Sequence, residues 1–397
     1  MSEQRIADLC RSVLAASWAE GERDGVPYGY TRPSPTRYPW QWYWDSCFAA
    51  IVWRRFDRGR SRSELESLLR ASRGDGFIGH VTFWDHPISL KRRVYYNVDS
   101  RSSPMTSTIQ PPLLAWAWRI AVGDPAAEPR IARHHEWLLA NRDLEGDGLL
   151  WLIQPDESGL DSSPKYDPVW GRYSHARWAF PLLVARSRRL DWDARRIRSA
   201  GHPVLCEVVT NVLWGLSRLA MGEPSITPAL VDRLWDPDSG LFLDEAQPGG
   251  ARPLVDTWAG LAPLALPDLP EEIGHRLVER ILDPERYWLC HPPPSVAATD
   301  PSFEPNRGPG WKLRYWRGPT WINAAWMLWI GMLRLGYEAE AQEMVSRLVP
   351  MIEREGLREY YDPFTGEGLG AREFAWTSLI AEMVDPDEGA ARSYLPG

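Results

Sequence analysis

The stretch GPTWINAAWMLWIGMLRLGY, residues 318–337, decides the fold. Within it Trp321, Ile322, Ala325, Trp326, Trp329, Ile330 and Leu333 recur at three- and four-residue steps, the period of one face of an α-helix. Gly318-Pro319 precedes the run and Leu335-Gly336-Tyr337 interrupts it, after which Met344, Val345, Leu348, Met351 and Ile352 resume the same period. The two segments read as an antiparallel helical hairpin. A second strong run, Val204, Leu205, Val208, Val209, Val212, Leu213, Leu216 and Leu219, has Pro203 where a first helical turn tolerates it. Further helices are expected around 4–18, 45–56, 62–71, 110–122, 127–140, 174–189, 256–264, 271–282 and 371–384. About a dozen helices fit six antiparallel pairs. No βαβ rhythm and no strict repeat appears, which argues against a parallel sheet and a regular solenoid. The expected fold class is all-α, an (α/α)6 barrel made of a double ring of helices, in one domain spanning 1–397.

Six connections, at 19–44, 74–109, 142–170, 235–255, 283–318 and 355–370, are long and rich in Gly, Pro, Asp and aromatic residues. Loops of such length in a compact domain usually carry function. One falls after roughly every second helix, so a helical barrel would gather them on one rim.

Composition narrows the function. The net charge is −8, from 45 Lys+Arg against 53 Asp+Glu, and no basic stripe appears, so nucleic acid is not an expected partner. The opening MSEQRIADLCRSVLAASWAE lacks the basic and apolar regions of a signal peptide, and the apolar run near Trp321 to Leu335 is too short to cross a bilayer. Cys10, Cys47, Cys206 and Cys290 are scattered, without zinc spacing, and read as reduced thiols. A soluble, cytoplasmic protein without membrane partner is expected. The outlier is tryptophan, 23 residues against 9 Phe. Indole rings offer a flat apolar face and one N–H, which suits a sugar face ringed by hydroxyls.

Four segments could carry chemistry. Gln154-Pro-Asp-Glu-Ser-Gly-Leu-Asp161-Ser-Ser-Pro164 packs three carboxylates into a tight loop, with Trp151, Tyr166 and Trp170 within short reach of Asp161. A carboxyl among aromatic rings has its pKa raised by desolvation, as a glycosidic general acid requires, although a turn-capping aspartate would look the same. In Leu357–Thr377, Glu359, Asp362, Glu367 and Glu373 all compete for the role of base. Tyr38-Pro-Trp40-Gln-Trp42-Tyr-Trp44-Asp45 puts three tryptophans in alternation, which would form one wall if the segment is extended, and Asp45 could be an N-cap or a ligand for sugar hydroxyls. Lys312–Trp321 is aromatic and basic and leads into a helix.

Other chemistries lose support. Asp143-Leu-Glu-Gly-Asp147-Gly148 begins like a calcium loop, but its twelfth position is Gln154, so a turn is expected. No HExxH, GxGxxG, P-loop or GxSxG is present. Neither metal nor cofactor is expected.

Glu157-Ser-Gly-Leu-Asp161-Ser-Ser-Pro164, Tyr315-Trp316-Arg317-Gly318-Pro-Thr-Trp321, Glu359-Tyr-Tyr-Asp-Pro-Phe-Thr-Gly366 and Phe374-Ala-Trp376-Thr377 together resemble glycoside hydrolase family 63, over most of the chain. Within it the chain is similar to the compact bacterial mannosylglycerate and glucosylglycerate hydrolases. The resemblance implies an (α/α)6 barrel, an inverting reaction on a small glycoside, Asp161 as general acid and Glu359 as general base. It also implies binding roles for Tyr38, Trp42, Asp45, Gln110, Tyr315, Trp316 and Trp321, to which Trp40, Arg317, Glu373 and Trp376 are added from the same segments. A glutamine commonly stands before the FxW segment in the family, whereas Glu373 stands here, which makes it the second candidate for the base.

An acidic aglycone would need a cation, and Arg32, Arg37, Lys165, Arg314 and Arg317 are the candidates. Two rival readings are a sugar epimerase using His175 or His291 and a non-catalytic carbohydrate-binding protein.

Overall fold

A computed structural model describes residues 3–84, 89, 94–99, 104–176, 178–305 and 315–385. The architecture is mostly helical with a few very short strands. Its logic is a contrast between two kinds of helix. Every residue of Tyr43–Trp53 and of Trp258–Ala265 is buried, as are the first eleven of Val208–Ala220 and of Ile322–Arg334. A helix apolar all round can exist only with neighbours on every side. The helices Glu338–Glu355 and Glu271–Ile281 bury one stripe each, Ala341, Met344, Val345, Leu348, Met351 and Ile352 in the first, Gly274, Leu277, Val278 and Ile281 in the second.

Contacts arrange these elements in a circuit. Tyr43–Trp53 touches Leu114–Ala121, which touches Val208–Ala220, then Trp258–Ala265, Ile322–Arg334 and Ala375–Leu379, and the last returns to Tyr43–Trp53. Each has an outer partner: Arg58–Ala71, Glu128–Arg142, Thr227–Leu234, Glu271–Ile281, Glu338–Glu355 and Glu3–Ser17, respectively. One contiguous core runs from Ile6 to Met383. Among the described residues no helix is long and apolar enough to cross a membrane.

Several expected elements take another form. Residues Val204–Cys206 are a strand between Trp151–Leu152 and Glu245–Gln247, and the helix starts only at Val208, where the Glu207 side chain accepts from the Thr210 N–H at 2.6 Å. Three consecutive buried apolar residues serve a strand as well as a helix, and the capping glutamate marks the boundary. The end of the chain departs likewise: Gly368–Arg372 is a strand, followed by the 3-10 turn Ala375–Leu379 and the short helix Ile380–Val384. Over 174–189 the helix proper is Phe180–Arg189, and over 256–264 a 3-10 helix replaces the α-helix. The helices Thr227–Leu234 and Ala194–Ser199 escaped the pattern because each is under three turns long.

The 143–148 segment is a turn. Both Asp143 carboxylate oxygens accept backbone N–H groups, from Gly146 at 2.7 Å and Gly148 at 3.0 Å.

The tightest approach within the circuit is at Gly331. A Cβ there would lie 2.4 Å from both Cγ and the carbonyl oxygen of Leu264. Alanine gains about 1 kcal/mol of helix propensity over glycine, but overpacking a core costs about 1–3 kcal/mol and the Leu264 backbone has no room to yield. Gly331→Ala is therefore expected to lower stability by about 1–2 kcal/mol, read as a lower denaturant midpoint at unchanged slope.

Candidate active site

The base candidate is built by a β-bulge. Arg358–Tyr361 pairs antiparallel with Gly368–Arg372, and the register slips between Arg358 and Tyr360, so that two residues, Gly370 and Ala371, face the single residue Glu359. Glu359 is fully buried, 0% exposed, on the same face of its strand as Tyr361, and the bulge opposite brings the Ala371 N–H onto its carboxylate. Opposite it stands Gly370 at φ +68°, where a Cβ would fall 2.4 Å from Glu359 Oε2. Glycine is needed there for both its conformation and its missing side chain.

The carboxylate is well provided with partners. Tyr315 donates its hydroxyl to Oε1, Ala371 N–H donates to Oε2 at 2.7 Å, and the Arg37 guanidinium lies 3.6 Å from Oε2. Burial raises the Glu359 pKa above its ordinary value, and Tyr315, Arg37, the Ala371 N–H and Tyr38 pull against that rise. Its three competitors sit otherwise. Asp362 caps a turn by accepting the Phe364 and Thr365 N–H groups, both at 2.9 Å, while Glu367 and Glu373 are exposed.

The acid loop sorts its three carboxylates by partner. Glu157 is fixed in place by Arg142, with Nη2–Oε1 at 2.6 Å and Nη1–Oε2 at 2.9 Å, and by the Ile153 N–H at 2.8 Å. Asp156 accepts from Asn97 Nδ2 at 3.0 Å. Asp161 is half-buried, and desolvation, then the charge of Glu359, push its pKa up to about 7. The loop is pressed onto Trp44: a Cβ on Gly159, at φ +71°, would lie 2.5 Å from its ring. Ser162 holds φ +61° and its Oγ accepts the Tyr315 N–H at 3.1 Å. Tyr315 therefore bonds to the acid loop through its backbone and to Glu359 through its phenol.

Aromatic rings run beneath and beside this pair. Trp316 stacks on Trp321 at 3.8 Å and on Trp258 at 5.8 Å, and Trp321 stacks on Tyr360 at 4.6 Å. Trp376 meets Trp321 at 5.6 Å and Phe374 at 4.6 Å, and Phe374 continues to Tyr38 and Tyr38 to Trp42. Trp42 ends on His80. Among the buried polar atoms without a hydrogen-bond partner among the described residues are five on this run: Trp42 Nε1, Asp45 Oδ1, His80 Nε2, Trp316 Nε1 and Trp321 Nε1. Buried orphans of this kind need an explanation, and a ligand's hydroxyls would supply one. Asp45 is also raised, by burial and then by Glu359.

Not every expected residue joins. Trp40, Trp42 and Trp44 do not form one wall, because only Gln41–Trp42 is extended and the helix begins at Tyr43. Trp40 packs with Phe83 and Tyr96 in a separate small cluster, and Trp44 lies in the main core. Asp45 is not an N-cap: Trp42 holds that position and Asp45 sits in the first turn. Gln110 accepts the Trp44 N–H at 3.0 Å, satisfying the helix start. Two of the candidate cations are already committed, Lys165 to Glu207 and Asp244 and Arg317 to Asp167 at 2.7 Å. Arg32 is half-buried without ion pair to the catalytic candidates, and Arg314 lies outside the described residues. His175 is held through Nδ1 by Asp167 and His291 through Nδ1 by the Arg347 carbonyl, and among the described residues neither is bonded to Asp161 or Glu359.

Ser162, Gly370, His80 and Trp258 were not singled out in the sequence. Only Gly370 had a signal, the unusual Gly368-Leu-Gly370 spacing opposite a glutamate.

A mostly helical protein with two carboxyls, one on a loop and raised to about 7 in the field of the other, beside a run of aromatic rings has the equipment of a glycoside hydrolase. Comparison with known proteins agrees. The profile described as "Mannosylglycerate hydrolase MGH1-like glycoside hydrolase domain" matches residues 38–220 and 217–377, and the chain belongs to this family. A mannosylglycerate hydrolase of Thermus thermophilus is 30% identical, over 89% of this chain and 95% of that protein. A glucosylglycerate hydrolase of Mycolicibacterium hassiacum is 25% identical, over 88% and 92%. The crystal structure of a GH63 mannosylglycerate hydrolase from Thermus thermophilus in complex with Tris and D-glycerate superposes with a TM-score of 0.76 at 28% identity, covering 96% of this chain and 99% of that one.

The bulge geometry yields a test. Gly370→Ala should leave the far-UV circular dichroism unchanged and cut kcat by roughly 10²-fold, the loss that a misplacement of about 1 Å brings. An active Gly370→Ala enzyme would show that Glu359 needs no such clearance.

Proposed function

We propose that the chain is an inverting α-glycoside hydrolase acting on α-mannosylglycerate or α-glucosylglycerate, with Asp161 as general acid and Glu359 as general base. The observation that carries the reading is the unequal pair itself. Asp161 has no hydrogen bond to stabilise its charge among the described residues and titrates at about 7, while Glu359 is surrounded by donors that favour its ionised form. Two carboxyls pushed apart in this way take opposite roles. The substrate class follows the relatives, named mannosylglycerate and glucosylglycerate hydrolases.

In the proposed reaction the Asp161 proton passes to the glycosidic oxygen as the bond from that oxygen to the anomeric carbon breaks. Glu359 takes a proton from a water that attacks the anomeric carbon from the opposite face. Free sugar of inverted configuration and glycerate result, and a carboxyl separation of ~6.5–9.5 Å leaves room for that water. Trp321, Trp376, Trp316 and Tyr38 would form the floor and side, and Trp42, Asp45 and His80 would meet sugar hydroxyls with their unpartnered atoms. Trp40, Gln110 and Arg317 would act as supports. The circuit of six inner segments, each with an outer partner, supports an (α/α)6 barrel in one domain. Four free cysteines suit a cytoplasmic location.

Glu359→Ala is expected to be nearly inactive on natural and aryl glycosides alike, since nothing else activates water. Asp161→Ala should regain part of its rate on an aryl glycoside, whose phenolate leaves without protonation, against a loss of roughly 10²–10⁴-fold on the natural substrate. NMR of the first-formed anomer tests inversion, and retention would overturn the mechanism. In the wild type, kcat/KM should fall as pH rises through about 7, because the acid must be protonated. Tyr315→Phe removes a group that lowers the Glu359 pKa, so its acidic limb should move to higher pH.

A further inference from the structure

Asp161 makes no hydrogen bond of its own among the described residues, so its place is set by the backbone that carries it. That backbone is fastened on both sides. Before Asp161 in the chain, Glu157 is held by Arg142. After it, Lys165 turns inward, 5% exposed, and its ammonium donates to Glu207 Oε1 and lies 3.3 and 3.1 Å from the two Asp244 oxygens. Both carboxylates belong to the helical scaffold. Glu207 caps the helix Val208–Ala220 by accepting the Thr210 N–H at 2.6 Å, and Asp244 accepts the Val208 N–H at 3.0 Å. Between the two fastenings the Ser162 Oγ accepts the Tyr315 N–H, and beyond them the half-buried Asp167 pairs with Arg317. Burial opposes the charge of Lys165, and Asp244 and Glu207 more than restore it, so its pKa ends above the ordinary value. Replacing a buried ionic cluster by apolar residues is often neutral for stability, so its directional bonds point to a positional task.

We propose that Lys165 is a positioning residue, which anchors the Asp161 loop to the start of Val208–Ala220 and to Asp244 and so holds the Asp161 carboxyl at the bond to be cleaved. The proposal rests on the reading of Asp161 as the general acid. Lys165, spent on Glu207 and Asp244, takes no part in the chemistry itself. Its effect falls on the step that protonates the leaving oxygen.

The test is leaving-group dependence. Lys165→Met alone would leave two buried carboxylates without their cation, which endangers folding. Lys165→Met combined with Asp244→Asn keeps the net charge of the cluster and leaves the Val208 N–H its acceptor. The double variant should lose roughly 10²-fold in kcat on a glycerate-linked glycoside, as a misplacement of about 1 Å brings, and far less on a dinitrophenyl glycoside of the same sugar, whose phenolate leaves without a proton. Lys165→Arg, which keeps a cation between the carboxylates, should recover most of that loss. Equal losses on both substrates, or none on either, would overturn the proposal, since a purely structural lysine lowers the amount of active enzyme alike for both. Asp161→Ala, measured alongside, separates this from the acid assignment. If that variant loses equally on both glycosides, or if wild type cleaves neither, the assignment fails. Amide hydrogen exchange then decides for Lys165, at Ser163 and Tyr166, whose N–H groups are bonded within the loop. Faster exchange there in the double variant supports Lys165 as the anchor of the loop, and unchanged exchange overturns it.

Discussion

A wholly buried carboxylate is the constraint around which the rest of this protein is arranged. An ionised Glu359 moved from water into an apolar interior without compensation would cost more than the roughly 5–15 kcal/mol by which folded proteins are stable. Its environment has to replace the lost water, and does so with a phenol, a backbone N–H and a nearby guanidinium. Each demands something of the chain. The N–H requires the strand Gly368–Arg372 to run alongside, the bulge requires Gly370, and the phenol requires the Tyr315 segment, which is held by the paired backbone groups of Thr320 and Tyr361. The acid then takes its raised pKa partly from the same charge. The difference between the two carboxyls is thus a product of their unequal hydrogen bonding.

Much of the helical scaffold could be read from the chain, because burial leaves a periodic trace. The hairpin of Ile322–Arg334 and Glu338–Glu355 is where the apolar steps placed it. Short runs were ambiguous: Val204–Cys206 suits a strand or a helix, and pairing with Trp151–Leu152, distant in sequence, made it a strand. Among candidate site residues, the family motif pointed to Asp161 and Glu359, but spacing alone could not separate Glu359 from Asp362, Glu367 and Glu373. That distinction comes from a register slip and from which side chains meet water, and neither leaves a periodic mark. For the same reason Lys165 and Arg317 looked available in sequence and are paired in space.

The buried tryptophans differ in their contacts. Trp53, Trp116, Trp151 and Trp214 are among the largest fully buried side chains and belong to the general core. Trp258, Trp316 and Trp321, in the same core, form a stacked ladder that ends on Tyr360, the neighbour of Glu359. Stacked rings with few rotatable bonds make a floor that holds its shape at low entropic cost. Tyr315, bonded through its backbone to Ser162 and through its phenol to Glu359, ties the Asp161 loop to the Glu359 strand.

The cysteines give the molecule a property unrelated to catalysis. Cys10, Cys47 and Cys206 are buried, and burial raises their thiol pKa values, so they contribute little thiolate at neutral pH. Cys290 alone is exposed, and the next residue, His291, donates its N–H to the Pro363 carbonyl at 2.9 Å, four positions beyond Glu359. A maleimide-linked fluorophore therefore has one accessible address on the folded enzyme, on a loop bonded to the turn that follows the base. The chain itself thus offers a spectroscopic reporter position tied to the turn after Glu359, without any engineered thiol.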